Sequence, residues 1–181
     1  MPRATPSQTI GPYWHLIEDP EWADLTRFGA TGEKIVFSGT VTDGDAAPVA
    51  DAAVEIWQAD PPASDTFPGF GRASTDSAGR FRLITVKPGP VPGRGNAQQA
   101  PHLAVAIMAR GLLKPLFTRA YFDGDPLNET DPLLSSIEDA RRATLLARCR
   151  PAELGETAAQ LPEWTLHVRL QGGDETVFLD I

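Results

Sequence analysis

Prolines and glycines cut this chain into short elements along its whole length. Seventeen prolines and sixteen glycines are spread over 181 residues, so they punctuate many short segments and do not gather in one linker. Between these marks the apolar period is two. Ile35, Phe37 and Val41 alternate with Val36, Ser38 and Thr40, in a strand that ends at the turn signal Asp43-Gly44. Further strands are expected at 54–57, 81–87, 102–110 and 116–122, with 143–150 a strand or a short helix, then at Trp164, Leu166, Val168 and Leu170, with 176–181 closing the chain. Seven or eight short strands separated by turn signals describe an all-β sandwich. Helix is otherwise confined to two short candidates, 21–28 and 131–137, the latter with Asp131 as N-cap and Pro132 at its first position. Residues 59–72 and 87–101 read as long irregular loops, of the kind that carry function in compact domains. The expected organisation is an irregular N-terminal arm over 1–32 and a β-sandwich over 33–181.

Charge narrows the function classes. Lys and Arg total 16 against 24 Asp and Glu, for a net charge of −8. A nucleic-acid binder needs excess cations to displace phosphate counterions, and an anionic membrane surface needs the same. Neither partner is expected. A single cysteine, Cys149, rules out a disulfide framework and reads as a small core residue. No apolar run reaches membrane-spanning length and the first eight residues lack a secretory apolar segment, so the expected location is cytoplasmic.

Generic motifs are weak. Gly69-Phe70-Gly71 and Gly93-Arg94-Gly95 lack the third glycine and following helix of a nucleotide loop, and read as turns. The three histidines are scattered: His15 in the arm, His102 at the opening of a strand, His167 on the polar side of a strand. Tyr13 and Tyr121 are the only tyrosines.

Several longer strings carry a resemblance. Thr5-Pro6-Ser7-Gln8-Thr9-Ile10-Gly11-Pro12-Tyr13, Val54-Glu55-Ile56-Trp57-Gln58-Ala59-Asp60 and Phe70-Gly71-Arg72 occur in this order. Thr85-Val86-Lys87-Pro88-Gly89-Pro90, Pro101-His102, Arg110-Gly111, Thr118-Arg119-Ala120-Tyr121-Phe122 and residues 171–178 follow. Together they resemble the intradiol ring-cleavage dioxygenases over nearly the whole chain. The resemblance implies a β-sandwich and a non-haem ferric ion held by two tyrosinates and two histidines. It also implies cleavage of a catechol by O2 between its hydroxyls. Phenolate oxygens are hard, anionic donors suited to ferric iron.

The departures from that pattern matter as much. Where iron-binding members carry a ligand tyrosine after Pro-Gly-Pro, this chain has Val91. Where they carry His-x-His on one strand face, it has His102 and Ala104. Gln99 stands for an expected arginine, and the loop that should hold the other tyrosine has none. Tyr13, Tyr121, His15 and His167 supply suitable atoms but fall at no ligand position of the family.

Such losses resemble those of the family's iron-free alpha chains, which pair with a homologous beta chain. The resemblance then implies that Fe(III) belongs to the beta partner. It places Thr9, Gly11, Pro12 and Arg110 at that partner's pocket, with the guanidinium pairing the carboxylate of protocatechuate. Arg110 follows His102 by eight residues, about 26 Å if the strand is unbroken, too far to serve a site around His102. Two other readings are a self-sufficient dioxygenase with unusual ligands and a non-catalytic scaffold of the transthyretin-like kind.

Overall fold

The computed structural model of the protein describes residues 11, 14–16, 18–150 and 161–180. Ten strands are its main regular elements: β1 Lys34–Thr42, β2 Ala53–Trp57, β3 Phe70–Ser74, β4 Arg80–Val86 and β5 Val91–Pro92 in the first half. In the second half come β6 Gln98–Gln99, β7 His102–Met108, β8 Leu116–Phe122, β9 Leu146–Arg150 and β10 Glu163–Arg169. Two short helices, α1 Pro132–Ser136 and α2 Asp139–Arg142, lie between β8 and β9. None of the helices among the described residues is long and apolar enough to cross a membrane.

Eight strands hydrogen-bond in the order β3-β2-β7-β8-β9-β10-β1-β4, while β5 and β6 pair with each other. The large sheet curls over into a sandwich, as the period-two pattern predicts. β9 joins the layers: Leu146 and Ala147 pair with β8 in parallel, and residues 148–150 pair with β10 in antiparallel. The alternating residues Ile35, Phe37, Val54, Ile56, Leu83, Leu103, Val105, Ile107, Leu166 and Val168 face one another across a common core. Removing such side chains from water supplies the main drive for the two layers to close. A smaller cluster of Ala100, Tyr121, Leu134 and Leu145 lies under the α1 region.

Asp131 caps α1 as expected, accepting from the Leu133 and Leu134 amides with Pro132 at the first turn. Four other expectations are corrected. First, residues 70–74 are a strand. Its inward positions are Gly71 and Ala73 while Phe70 and Arg72 point outward, so the alternation reads backwards in hydrophobicity. Gly71 is small because Leu25 occupies the space, and an added Cβ would stand 2.2 Å from Leu25 Cδ1. Second, 21–28 is no α-helix. A 3-10 turn over Pro20–Ala23 stops at Asp24, whose carboxylate accepts from the Thr26 amide at 2.8 Å. That local bond competes with helix continuation, and the Leu25 amide goes instead to Ile84 O on β4.

Third, 176–181 is not a ladder strand. Its hydrogen bonds divide among Arg169 on β10, Phe117 and Thr118 on β8 and Thr144 in the turn before β9, leaving one isolated bridge at Phe117–Leu179. Residue 181 lies outside the described residues. Fourth, Cys149 is exposed. Beyond Ala147, β9 no longer pairs with β8 and hydrogen-bonds only to β10, so its end is left uncovered.

Candidate functional site

His102 opens β7 and Ala104 follows two residues on, so both occupy the outward face of their sheet while Leu103 and Val105 enter the core. With Trp57, Asp60, Gly89 and Val91 they line a cavity of about 300 Å3. Gln58 fixes its wall: the side-chain amide donates to Asp60 O and Val86 O, and its oxygen accepts from the Thr85 hydroxyl. Asp60 Oδ2 in turn accepts from the Gly89 amide at 2.7 Å. These bonds hold the tyrosine-free loop against the Pro88-Gly89-Pro90 turn.

The imidazole is held in one tautomer. His102 Nδ1 lies 2.8 Å from Ala100 O, and a carbonyl can only accept, so Nδ1 carries the proton. Burial lowers the His102 pKa below its ordinary value, and Arg119 pushes the same way, against the Ala100 bond and Asp131. The ring lies 5.4 Å from that of Tyr121, its partner across β7 and β8.

Beside it runs a polar chain. Arg119, opposite Ala104 in register, donates to Gln99 Oε1 at 2.7 Å and to the Tyr121 oxygen at 3.1 Å. The Tyr121 hydroxyl donates to Asp131. Burial raises the Tyr121 pKa well above that of an ordinary phenol, overcoming the opposite pull of Arg119. This hydroxyl is thus a neutral donor inside a packed cluster.

The donor set around this cavity does not fit a ferric ion. Val91 and Ala104 supply no electron pair, leaving one imidazole nitrogen and a carboxylate already engaged by a backbone amide. Nor do the other candidate donors assemble. His167 lies on the outward face of the opposite layer, 2.7 Å from Thr40 Oγ1. It lines a broad groove with Ser38, Thr165, Arg82 and Arg150. Tyr13 and the side chain of His15 lie outside what is described, and among the described residues no three potential ligands cluster.

A second constellation sits past the far end of β7. The strand stops at Met108, about 20 Å from its start, and Arg110 lies in the following turn, where Gly111 has a φ of 93°. Arg110 does not line the His102 cavity. Its Nε lies 2.6 Å from Asp51 Oδ2 in an ion pair, with the arginine side chain 72% exposed and that of Asp51 34% exposed. The same aspartate anchors the N-terminal arm, because buried Trp14 donates from Nε1 to Asp51 O at 3.2 Å. Gly11 is half-buried with a φ of 81°. Thr9 and Pro12 lie outside the described residues.

Arg110 and the foot of the arm are therefore brought to one residue, and both are separated from His102 by the length of β7. Asp51 and Trp14 escape sequence reasoning. Asp51 belongs to no motif, and Trp14 stands just beyond the string that carries the resemblance.

Several known proteins are similar to this chain. The family model Dioxygenase_C, described as dioxygenase, matches residues 19–172. The protocatechuate 3,4-dioxygenase alpha chain of Burkholderia cepacia is 39% identical, across 99% of this chain and 98% of that relative. The beta chain from the same organism is 36% identical over 65% of this chain and 56% of its own length. Among solved structures, the dioxygenase domain of a dioxygenase carbohydrate-binding protein fusion from Streptomyces sp. SirexAA-E superposes with a TM-score of 0.64. It is 29% identical and covers 94% of this chain and 100% of that one. The chain belongs to the intradiol ring-cleaving dioxygenases, a family of non-haem iron enzymes, and is similar to protocatechuate 3,4-dioxygenase alpha chains along nearly its entire length.

Proposed function

We propose that this chain is the iron-free alpha subunit of a protocatechuate 3,4-dioxygenase. It pairs with a homologous beta chain that holds Fe(III), and it completes the beta chain's substrate pocket. The complex inserts both atoms of O2 as it cleaves the carbon–carbon bond between the two hydroxyl-bearing carbons, giving 3-carboxy-cis,cis-muconate. The observation that carries this reading is the contrast between the two ends of β7. At one end Val91 and Ala104 leave His102 without companion ligands. At the other, an arginine is held outward, away from the chain's own cavity.

The roles follow from chemistry. Residues 1–32 form the arm toward the partner, and 33–181 form the sandwich that supports it. Gly11 allows close backbone approach to a substrate, with Thr9 and Pro12 beside it. Arg110 pairs with the carboxylate that distinguishes protocatechuate from catechol. Similarity to alpha and beta chains alike supports the hetero-oligomer.

Iron analysis and oxygen uptake, on the chain alone and after addition of a beta chain, test the proposal. The chain alone is expected to be colourless and inactive, and the mixture to consume oxygen with protocatechuate. Stoichiometric ferric ion with ring-opening turnover in the isolated chain overturns it. Arg110→Ala in the complex should impair protocatechuate turnover more than catechol turnover, and equal losses remove the carboxylate role.

A further inference from the structure

Arg110 is engaged on one side by an ion pair. A guanidinium offers an Nε donor on one side and a pair of Nη donors at its tip, and a carboxylate is best recognised by two parallel donors. Asp51 takes Nε at 2.6 Å. No hydrogen bond from Nη1 or Nη2 is made to a described residue, and the side chain is 72% exposed. The bonded side is thus turned to the protein and the tip is turned out.

Asp51 is itself held by two unlike constraints. Its backbone accepts from Trp14, whose indole is 4% exposed. Its neighbours Ala52 and Ala53 are fully buried, the latter opening β2. The carboxylate therefore projects from a fixed backbone, which makes it a rigid reference for a flexible side chain.

We infer that Asp51 is a positioning residue for substrate recognition: it clamps Arg110 through Nε so that the Nη pair is presented to the substrate carboxylate, and it ties that presentation to the N-terminal arm through Trp14. This rests on the composite-pocket reading above. Asp51 also offers negative charge to the incoming carboxylate, so the clamp succeeds only if lost orientation outweighs relieved repulsion. Nε is the donor farthest from the recognising tip, which places the aspartate on the side of the guanidinium away from the substrate.

The test uses the assembled alpha–beta complex, with Asp51→Ala, Arg110→Ala and the double variant, assayed with protocatechuate and with catechol. Asp51→Ala is expected to raise KM for protocatechuate about tenfold, equivalent to about 1.4 kcal/mol. Its kcat should stay within twofold, and KM for catechol should be unchanged. In the Arg110→Ala background the Asp51 substitution should have no further effect. Asp51→Glu, which keeps an anionic acceptor, should recover part of the loss.

A fall in protocatechuate KM on Asp51→Ala, no change, equal effects on both substrates, or effects that add to those of Arg110→Ala overturn the inference while Arg110→Ala remains selective. If Arg110→Ala itself fails to discriminate the substrates, the composite-pocket reading falls instead. Should Asp51→Ala not assemble, Asp51→Asn keeps the shape and removes the charge. It is expected to shift protocatechuate KM in the same direction by a smaller factor, and a flat response overturns the inference equally.

Discussion

Tyr121 and Asp131 are joined by a hydrogen bond of 3.0 Å in the small cluster beneath α1. Asp131 is fully buried and collects three further donors: the amides of Ala100 at 2.8 Å, Leu133 at 2.9 Å and Leu134 at 3.0 Å. One carboxylate thus caps a helix, pins the segment before β7 and satisfies a buried phenol. Asp131→Ala removes the cap and strands several donors, at roughly 1–3 kcal/mol for each buried group left unsatisfied. A total loss of about 3–5 kcal/mol is expected in urea unfolding. Tyr121→Phe removes one bond and should cost about 1–2 kcal/mol. The double variant should lose less than the two single losses added together, because both delete the same bond.

Gly71 makes the opposite kind of prediction, in which adding an atom is harmful. An alanine Cβ there would lie 2.2 Å from Leu25 Cδ1 and 2.9 Å from Trp22 O. Leu25 is fully buried, so it cannot simply swing away. Gly71→Ala is expected to destabilise by about 1–3 kcal/mol through overpacking. The same substitution in a Leu25→Ala background should cost less, since the obstructing methyl groups are gone. Equal costs in the two backgrounds would show that the backbone of Trp22 sets the limit.

These two sites also mark how far the sequence could be read. Wherever apolar side chains point inward at every second position, as at Phe37, Leu83 or Leu166, the strand is legible. At β3 the inward residues are glycine and alanine, and Leu25, 46 residues before Gly71, fills the place of a side chain there; local periodicity holds no trace of that. The helix at Pro132–Ser136 is legible because its cap is local. In the site, Val91, Ala104 and Arg110 are singled out only by the family resemblance, since spacing alone gives them no role. Asp51 is not visible, since its importance comes from the meeting of Trp14 and Arg110 across the fold.

His102 couples stability to pH. Its folded-state pKa lies below the ordinary value near 6.5 because burial disfavours the charged ring. Between the two values the unfolded chain binds more protons, so stability increases with pH in that window. The contribution is fully present above about 6.5 and is lost as pH falls toward the folded value. In His102→Asn the amide can still donate to Ala100 O but does not titrate. Unfolding free energies measured from pH 5 to 8 should show a shallower acid-side decline in this variant than in the wild type. Parallel curves would mean that the imidazole titrates alike in both states.

Restoring donors to the His102 cavity tests whether their loss is what excludes iron there. Ala104 shares the outward face with His102, and Val91 lines the same cavity. Ala104→His with Val91→Tyr therefore adds an imidazole at i+2 and a phenol facing it, giving three donors with His102. Arg119, across the strand from position 104, favours a neutral imidazole, the form that binds metal. The double variant should take up ferric ion near one equivalent and develop a visible phenolate-to-iron charge-transfer band. Each single variant offers only two donors and should remain colourless. The wild type is the reference for non-specific uptake by metal analysis. A colourless double variant that still folds would show that the tyrosine-free loop over 59–70, and not these two positions, sets the limit on binding.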